Sequence, residues 1–260
     1  YEGQLTLRQG LTKSKNTISV RLISAVGVEP VTSFAALTGI RNKLPQNMTL
    51  ALGTGEVTMI DLANAYTTFH SAGQYADPML IAQVRDGRGT VLEENSATFS
   101  QNVSATTAFL ATSLMRSVVE EGTAMAVLEL NRPAAGKTGT AQEYRDAWFT
   151  GYTADYVASA WVGFDNHDPI GPNETGGKAA LPIWLRFMKG AHVDLPVRDF
   201  EVPAGIVAVK IDPQTGLLAG NKVPGRTEWF LEGTEPTQET HGPGGVDPHD
   251  FLLHDQRGGL

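Results

Sequence analysis

Apolar residues follow two different rhythms along the chain. Up to about residue 121 they recur three and four apart, the spacing that lays one face of a helix on a core. Leu5, Leu7 and Leu11 give an apolar side to a short helix that Thr6 can cap. Ile18, Leu22 and Val26 fall four apart and predict a helix over 16–26, with Gly27 as its C′ residue. Pro30 opens a short helix that stops at Gly39. Residues 41–56 read as loop, ending in Gly53-Thr54-Gly55. Thr58 with Asp61 three residues on resembles a capping box. The helix behind it carries Met59, Leu62, Ala63, Tyr66 and Phe69 on one side and ends at Gly73. Segments 79–84 and 90–92 flank Asp86-Gly87 and predict a hairpin. Ser104 opens the longest helix, which runs to Glu121 and is closed by Gly122.

The rhythm then shortens. Segments 134–141, 147–152 and 156–164 are brief, aromatic or β-branched runs between turn residues, and they predict three antiparallel strands. Residues 179–190 predict an amphipathic helix with Ile183, Trp184, Phe187 and Met188 as its apolar side. Residues 205–211 read as another strand before Asp212-Pro213. From Gly233 onward Gly, Pro, Glu and His dominate, so a loose tail is expected. No repeat is visible. The expected fold is α+β (mixed α/β) with two lobes: a helical lobe, and an antiparallel sheet covered by helices. A cleft between lobes is the default place for a site.

Composition narrows the chemistry. The 260 residues are 41% hydrophobic and 18% charged, as in ordinary globular domains. A net charge of −8 argues against nucleic acid as a partner, since phosphate binding needs a basic face. There is no cysteine, which excludes disulfides, thiolate metal sites and cysteine catalysis. No apolar run reaches the length of about 18 residues that a membrane span needs. The chain opens at Tyr1 in what reads as mid-domain sequence, so any export signal or anchor is expected upstream. His241, His249 and His254, with Asp247 and Asp250 nearby, could be conceived as a metal site, but they match no regular ligand spacing and read as solvated groups. Gly53-Thr54-Gly55 lacks the Gly-Lys-Ser/Thr ending of a phosphate loop. Trp148, Phe149, Tyr152 and Trp161 read as core under the covering helix, and Arg145-Asp146 as a turn ion pair.

Two short motifs stand out together. Ser14-Lys15-Asn16 is an S-x-N triplet at a helix start, and Lys137-Thr138-Gly139-Thr140 lies on a strand. Alone, the first reads as an N-cap and the second as an edge-strand cation. Paired, they make chemical sense. Lys137 and the hydroxyls of Thr138 and Thr140 offer a cation and donors to a carboxylate. Gly139 leaves room for a ligand to lie along the strand, and Ser14 and Asn16 can relay a proton and hold a carbonyl.

Longer stretches carry a resemblance: residues 1–16 (YEGQLTLRQGLTKSKN), 51–73 (ALGTGEVTMIDLANAYTTFHSAG), 120–124 (EEGTA), 131–166 (NRPAAGKTGTAQEYRDAWFTGYTADYVASAWVGFDN) and 176–184 (GGKAALPIW). Together, and in this order, they resemble the transpeptidase domain of class A penicillin-binding proteins over roughly residues 1–235. The resemblance implies the two-lobed fold shared with serine β-lactamases. It implies a partial transpeptidase domain over 1–195, a C-terminal extension over 196–235 and a loose tail over 236–260. It implies D,D-transpeptidase chemistry on peptidoglycan stem peptides through a serine ester, acylation by β-lactams, no metal and no cofactor. The whole protein is expected at the periplasmic or extracytoplasmic face of the bacterial cytoplasmic membrane, anchored there and preceded by a glycosyltransferase domain.

The family's roles carry over by position. Ser14 would pass a proton to the leaving amine. Asn16 would bind the general-base lysine and a substrate carbonyl. Lys137 would supply positive potential, Thr138 and Thr140 would bind the carboxylate, and the Thr140 N–H would form half of the oxyanion hole. One element of the pattern is missing. The family's nucleophile sits in S-x-x-K, yet none of the eight lysines here has a serine three residues ahead. Thr12 stands so before Lys15, but that match overlaps the S-x-N triplet and is treated as accidental. The nucleophile and the first strands are therefore expected upstream. A carboxypeptidase or β-lactamase relative, and an inactive fragment that only binds, are the alternatives.

Overall fold

The structure is a computed structural model and describes residues 5–220 and 224–240. It divides into a larger unit, Leu7–Pro203, and a smaller one that contains residues 204–220 and 224–240. The histidines and aspartates of the tail lie outside the described residues.

Two of the helices begin where capping chemistry puts them. In the larger unit α1 is Leu7–Thr12, α2 Asn16–Val26, α3 Val28–Leu37 and α4 Met59–His70. The Thr58 hydroxyl accepts the Asp61 N–H at 3.1 Å, satisfying one orphan donor of α4. α5, Ala105–Glu121, is the longest helix among the described residues, and Ser104 Oγ accepts the Thr107 N–H at 3.1 Å. Before α5 come the short strands β1, Gln74–Ala76, β2, Gln83–Arg85, β3, Val91–Glu94, and β4, Phe99–Gln101. β2 and β3 form the expected hairpin; the pairing of β1 with β4 was not foreseen, since three-residue strands show no periodicity. The stretch 41–56 is not all loop: Met48–Leu52 winds into a 3₁₀ turn capped by Asn47.

β5, Ala135–Thr140, β6, Asp146–Tyr152, and β7, Val157–Gly163, form one antiparallel sheet in that order. Thr138 pairs with Phe149, Gly139 with Trp148 and Lys137 with Thr150. Successive side chains alternate between faces. The face of Ala147 and Phe149 is covered by α6, Leu181–Ala191, which follows a single π turn at Gly176–Ala180. The Trp184 ring meets Phe149 edge-on at 5.0 Å. The face of Ala135 and Tyr152 is covered by α4 and α5, through Tyr66, Phe69 and Met115.

Three helices bury a different stripe from the one expected. On α6 the buried row is Leu181, Trp184, Leu185 and Met188, while Ile183 and Phe187 are 54% and 59% exposed. Each residue turns a helix by about 100°, so the neighbouring row that mixes 183/187 with 184/188 straddles the edge of the true stripe. On α2 Ile23 is buried, whereas Leu22 and Val26 are exposed. On α1 the buried positions are Arg8, Gly10 and Thr12, because this helix docks on α5 partly by polar bonds; Leu11 packs partly buried against both cores as expected, and Leu7 is exposed. α3 begins at Val28, which places Pro30 in its first turn, where the missing N–H costs nothing. No single helix among the described residues is long and apolar enough to cross a membrane.

The smaller unit holds a two-stranded ribbon, β8, Ile206–Ile211, with β9, Arg226–Leu231. Asp212 closes the turn after β8 by accepting the Gln214 N–H and the Thr215 and Thr240 hydroxyls. The segment 238–240 is tied to Leu218 by backbone hydrogen bonds in both directions.

Candidate active site

The site starts from a buried arginine. Arg8, 6% exposed, donates from Nη1 to Ser113 O at 2.6 Å and Ser117 Oγ at 2.8 Å, and from Nη2 to Ser113 Oγ at 2.9 Å. These charge-assisted bonds fasten α1 to α5 and so fix where the chain leaves α1. There the Ser14 N–H donates to Leu11 O at 3.0 Å and the Lys15 N–H to Gly10 O at 2.8 Å. This is the paired-bond helix ending whose turning residue is left-handed, normally glycine. Ser14 takes that place with φ 52°. A side chain there costs about 1 kcal/mol.

The strained serine meets the strand motif. Lys137 Nζ donates to Ser14 Oγ at 2.9 Å and to Thr138 O at 3.0 Å, joining residues 123 positions apart. Burial pushes the Lys137 ammonium down from its ordinary 10.5 to about 8. A lysine so placed can give and take a proton near neutral pH, and Ser14 Oγ is the atom it reaches.

β5 runs from the buried Ala135 and Gly136 to the exposed Thr140. Thr138 and Thr140 lie on the face opposite to Lys137. The Thr140 Oγ1 accepts the Gly176 N–H at 3.0 Å, and Thr138 Oγ1 lies 2.7 Å from Thr123 Oγ1. Gly176 rests flat on the sheet: a Cβ there would overlap the carbonyl oxygens of Gly139 and Trp148. A Cβ on Gly139 would lie 3.1 Å from Trp148 Cβ, so its absence also relieves a cross-strand contact.

Ser14 and Lys137 are thus in direct contact, with Thr138, Gly139 and Thr140 on the same strand edge. Asn16 opens α2, exposed, two residues beyond Ser14. Arg145 and Asp146 do not pair with each other: Arg145 binds Glu143, and Asp146 Oδ1 accepts from Trp161 Nε1 at 2.8 Å. Strand alternation sets Phe149 on the α6 face and Trp148, Tyr152 and Trp161 on the Lys137 face. Phe149 and Tyr152 are buried, while the partly exposed Trp148 and Trp161 pair with each other. Among the described residues no group of three or more His, Asp or Glu could hold a metal. Arg8, Thr123 and Gly176 were not singled out from sequence. All three fall inside the stretches that carry the family resemblance.

Comparison with known proteins identifies the family. Residues 1–189 match the family described as penicillin binding protein transpeptidase domain, and residues 202–240 match the penicillin-binding protein 1A C-terminal domain. Penicillin-binding protein 1A of Pseudomonas aeruginosa is 33% identical over 98% of this chain, which spans 38% of that protein. The crystal structure of penicillin-binding protein 1A from Haemophilus influenzae matches with a TM-score of 0.87 and 30% identity, over 92% of this chain and 42% of that one. The PonA1 protein of Mycobacterium tuberculosis in complex with penicillin V matches with a TM-score of 0.65 and 27% identity, over 76% of this chain and 59% of that one. The chain belongs to the penicillin-binding-protein transpeptidase domain family.

Proposed function

We propose that this chain is part of a serine D,D-transpeptidase that cross-links peptidoglycan stem peptides, and that it carries that enzyme's proton relay and carboxylate site. The observation that carries the reading is the 2.9 Å bond from Lys137 Nζ to Ser14 Oγ beside the Thr138-Gly139-Thr140 edge. None of the eight lysines follows a serine by three residues, so the nucleophile belongs to an S-x-x-K segment outside these 260 residues. Its Oγ attacks the penultimate D-Ala carbonyl carbon, the peptide C–N bond breaks, and the D-Ala amine departs with a proton. Ser14 Oγ delivers that proton and is refilled by Lys137, whose pKa of about 8 suits the exchange. The acyl ester is then taken by a neighbouring stem amine. Thr138 and Thr140 donate hydroxyl hydrogens to the substrate carboxylate, the Thr140 N–H points to the oxyanion, and Asn16 holds a backbone carbonyl. β-Lactams enter by the same carboxylate contacts and acylate the same serine. The whole protein works at the extracytoplasmic face of the membrane, anchored there and joined to a glycosyltransferase domain.

Intact mass after incubation with benzylpenicillin tests this in two arms. The 260-residue chain gains no adduct, and the longer protein bearing S-x-x-K gains one. In the longer protein Ser14→Ala and Lys137→Ala slow the acylation by about 10²-fold or more. A stable one-to-one adduct on the 260-residue chain moves the nucleophile inside it, with Ser14 the first suspect, and overturns these roles.

A further inference from the structure

The three hydroxyls of the site differ in what stands behind them. Ser14 Oγ accepts from Lys137 Nζ, and Thr140 Oγ1 accepts from the Gly176 N–H. In both, an N–H occupies an acceptor position, so the single hydroxyl hydrogen is left for a ligand. Among the described residues no N–H donates to Thr138 Oγ1. Its Oγ1 shares one hydrogen with Thr123 Oγ1 across 2.7 Å, and either oxygen can donate.

Thr123 is exposed, but the backbone on either side of it is packed. A Cβ on Gly122 would lie 2.6 Å from Thr12 O, so the residue before Thr123 packs on the chain leading to Ser14. The Ala124 N–H donates to Val118 O at 3.0 Å, and Ala124 is fully buried. A Cβ on Gly177 would come within 3.1 Å of Thr123 O. The backbone of Thr123 is therefore held on both sides, which sets its exposed hydroxyl within reach of Thr138.

We propose that Thr123 is a positioning residue: by donating to Thr138 Oγ1 it turns the Thr138 hydrogen outward, making Thr138 a donor to the ligand carboxylate. The inference rests on the carboxylate site of the proposed function. A carboxylate offers only acceptors, so the Thr123–Thr138 bond survives ligand binding in one orientation alone, with Thr123 the donor. Donation from behind also polarises the Thr138 hydroxyl and strengthens its bond to an anion.

The test titrates the 260-residue chain, followed by NMR, with diacetyl-L-lysyl-D-alanyl-D-alanine and with its C-terminal amide. Thr123→Val weakens binding of the carboxylate peptide by about 3- to 10-fold and leaves the amide within about twofold. Thr123→Ala gives the same split, and Thr123→Ser restores tight binding of the carboxylate. Equal losses on both peptides, or no loss on the carboxylate, overturn the proposal by making Thr123 merely structural or idle. Thr138→Val and Thr140→Val separate the two levels. If both bind the carboxylate like the wild type, the carboxylate site itself is wrong and the proposal falls with it. If both lose affinity while Thr123→Val does not, the proposal alone fails.

Discussion

Under α6 the sheet meets hydrocarbon only. Phe149, Leu181, Trp184 and Met188 are buried to within a percent, and the Trp184 Nε1–H is satisfied by the carbonyls of Gly151 and Ala158. On the opposite face of the same strands stands a desolvated ammonium, bonded to a serine in a backbone conformation suited to glycine. The packing under α6 lowers the free energy of folding, whereas the Lys137–Ser14 end of the opposite face, beyond the core around Ala135 and Tyr152, raises it. The sheet lets both coexist because alternation puts Phe149 and Lys137 on opposite sides of strands one hydrogen bond apart. The packed face supplies the rigidity that holds the strained one in register.

The largest blow to this division is Trp184→Ala, which empties the packed face. It destabilises the larger unit by about 3–5 kcal/mol, seen as a fall in the urea midpoint with an unchanged slope. A cost below about 1 kcal/mol would mean that the two faces share the packing energy.

Lys137→Met acts in the other direction. The folded pKa of about 8 lies below the ordinary 10.5, so between those values the unfolded chain binds more protons and stability rises with pH. Below pH 8 the desolvation cost stands in full. At pH 7 the methionine variant is therefore the more stable by about 1–2 kcal/mol, after allowance for solvent at the site. That advantage over the wild type fades between pH 8 and 10.5 in denaturation series, while carboxylate binding is lost at every pH. A variant less stable than wild type at pH 7 would show that the bonds to Ser14 and Thr138 outweigh desolvation.

The smallest effect tests the turn. Ser14→Gly relieves the left-handed strain and raises stability by about 0.5–1 kcal/mol, while it removes the hydroxyl that Lys137 reaches. Lower stability on this change would show that the Lys137–Ser14 bond contributes more than the backbone strain costs.

Much of the local structure was legible because its causes are local. The Thr58 and Ser104 caps act over three residues. The three strands of the sheet carry their own β-branched and aromatic runs, and they pair within a residue or two of the expected limits. Ser14 and the Lys137–Thr140 run were visible as motifs, yet that they touch was implied only by the family resemblance. The stripes of α2 and α6 were misjudged because α6 has apolar residues over more than half its circumference, so periodicity alone leaves its rotation open. β9 and the β1–β4 pair escaped notice because short strands gain their identity from a partner.

By itself the amino-acid sequence determined the order of the helices, the capped starts at Thr58 and Ser104, the three strands of the main sheet and the two motifs, since all of these follow from neighbours a few residues apart. Tertiary structure alone decided that Ser14 would be left-handed, that Arg8 would be a buried clamp, that Gly176 would back Thr140 and that Thr123 would face Thr138. Those contacts join residues 15 to 123 positions apart. No local propensity encodes them; they exist because the packed face of the sheet brings the segments together.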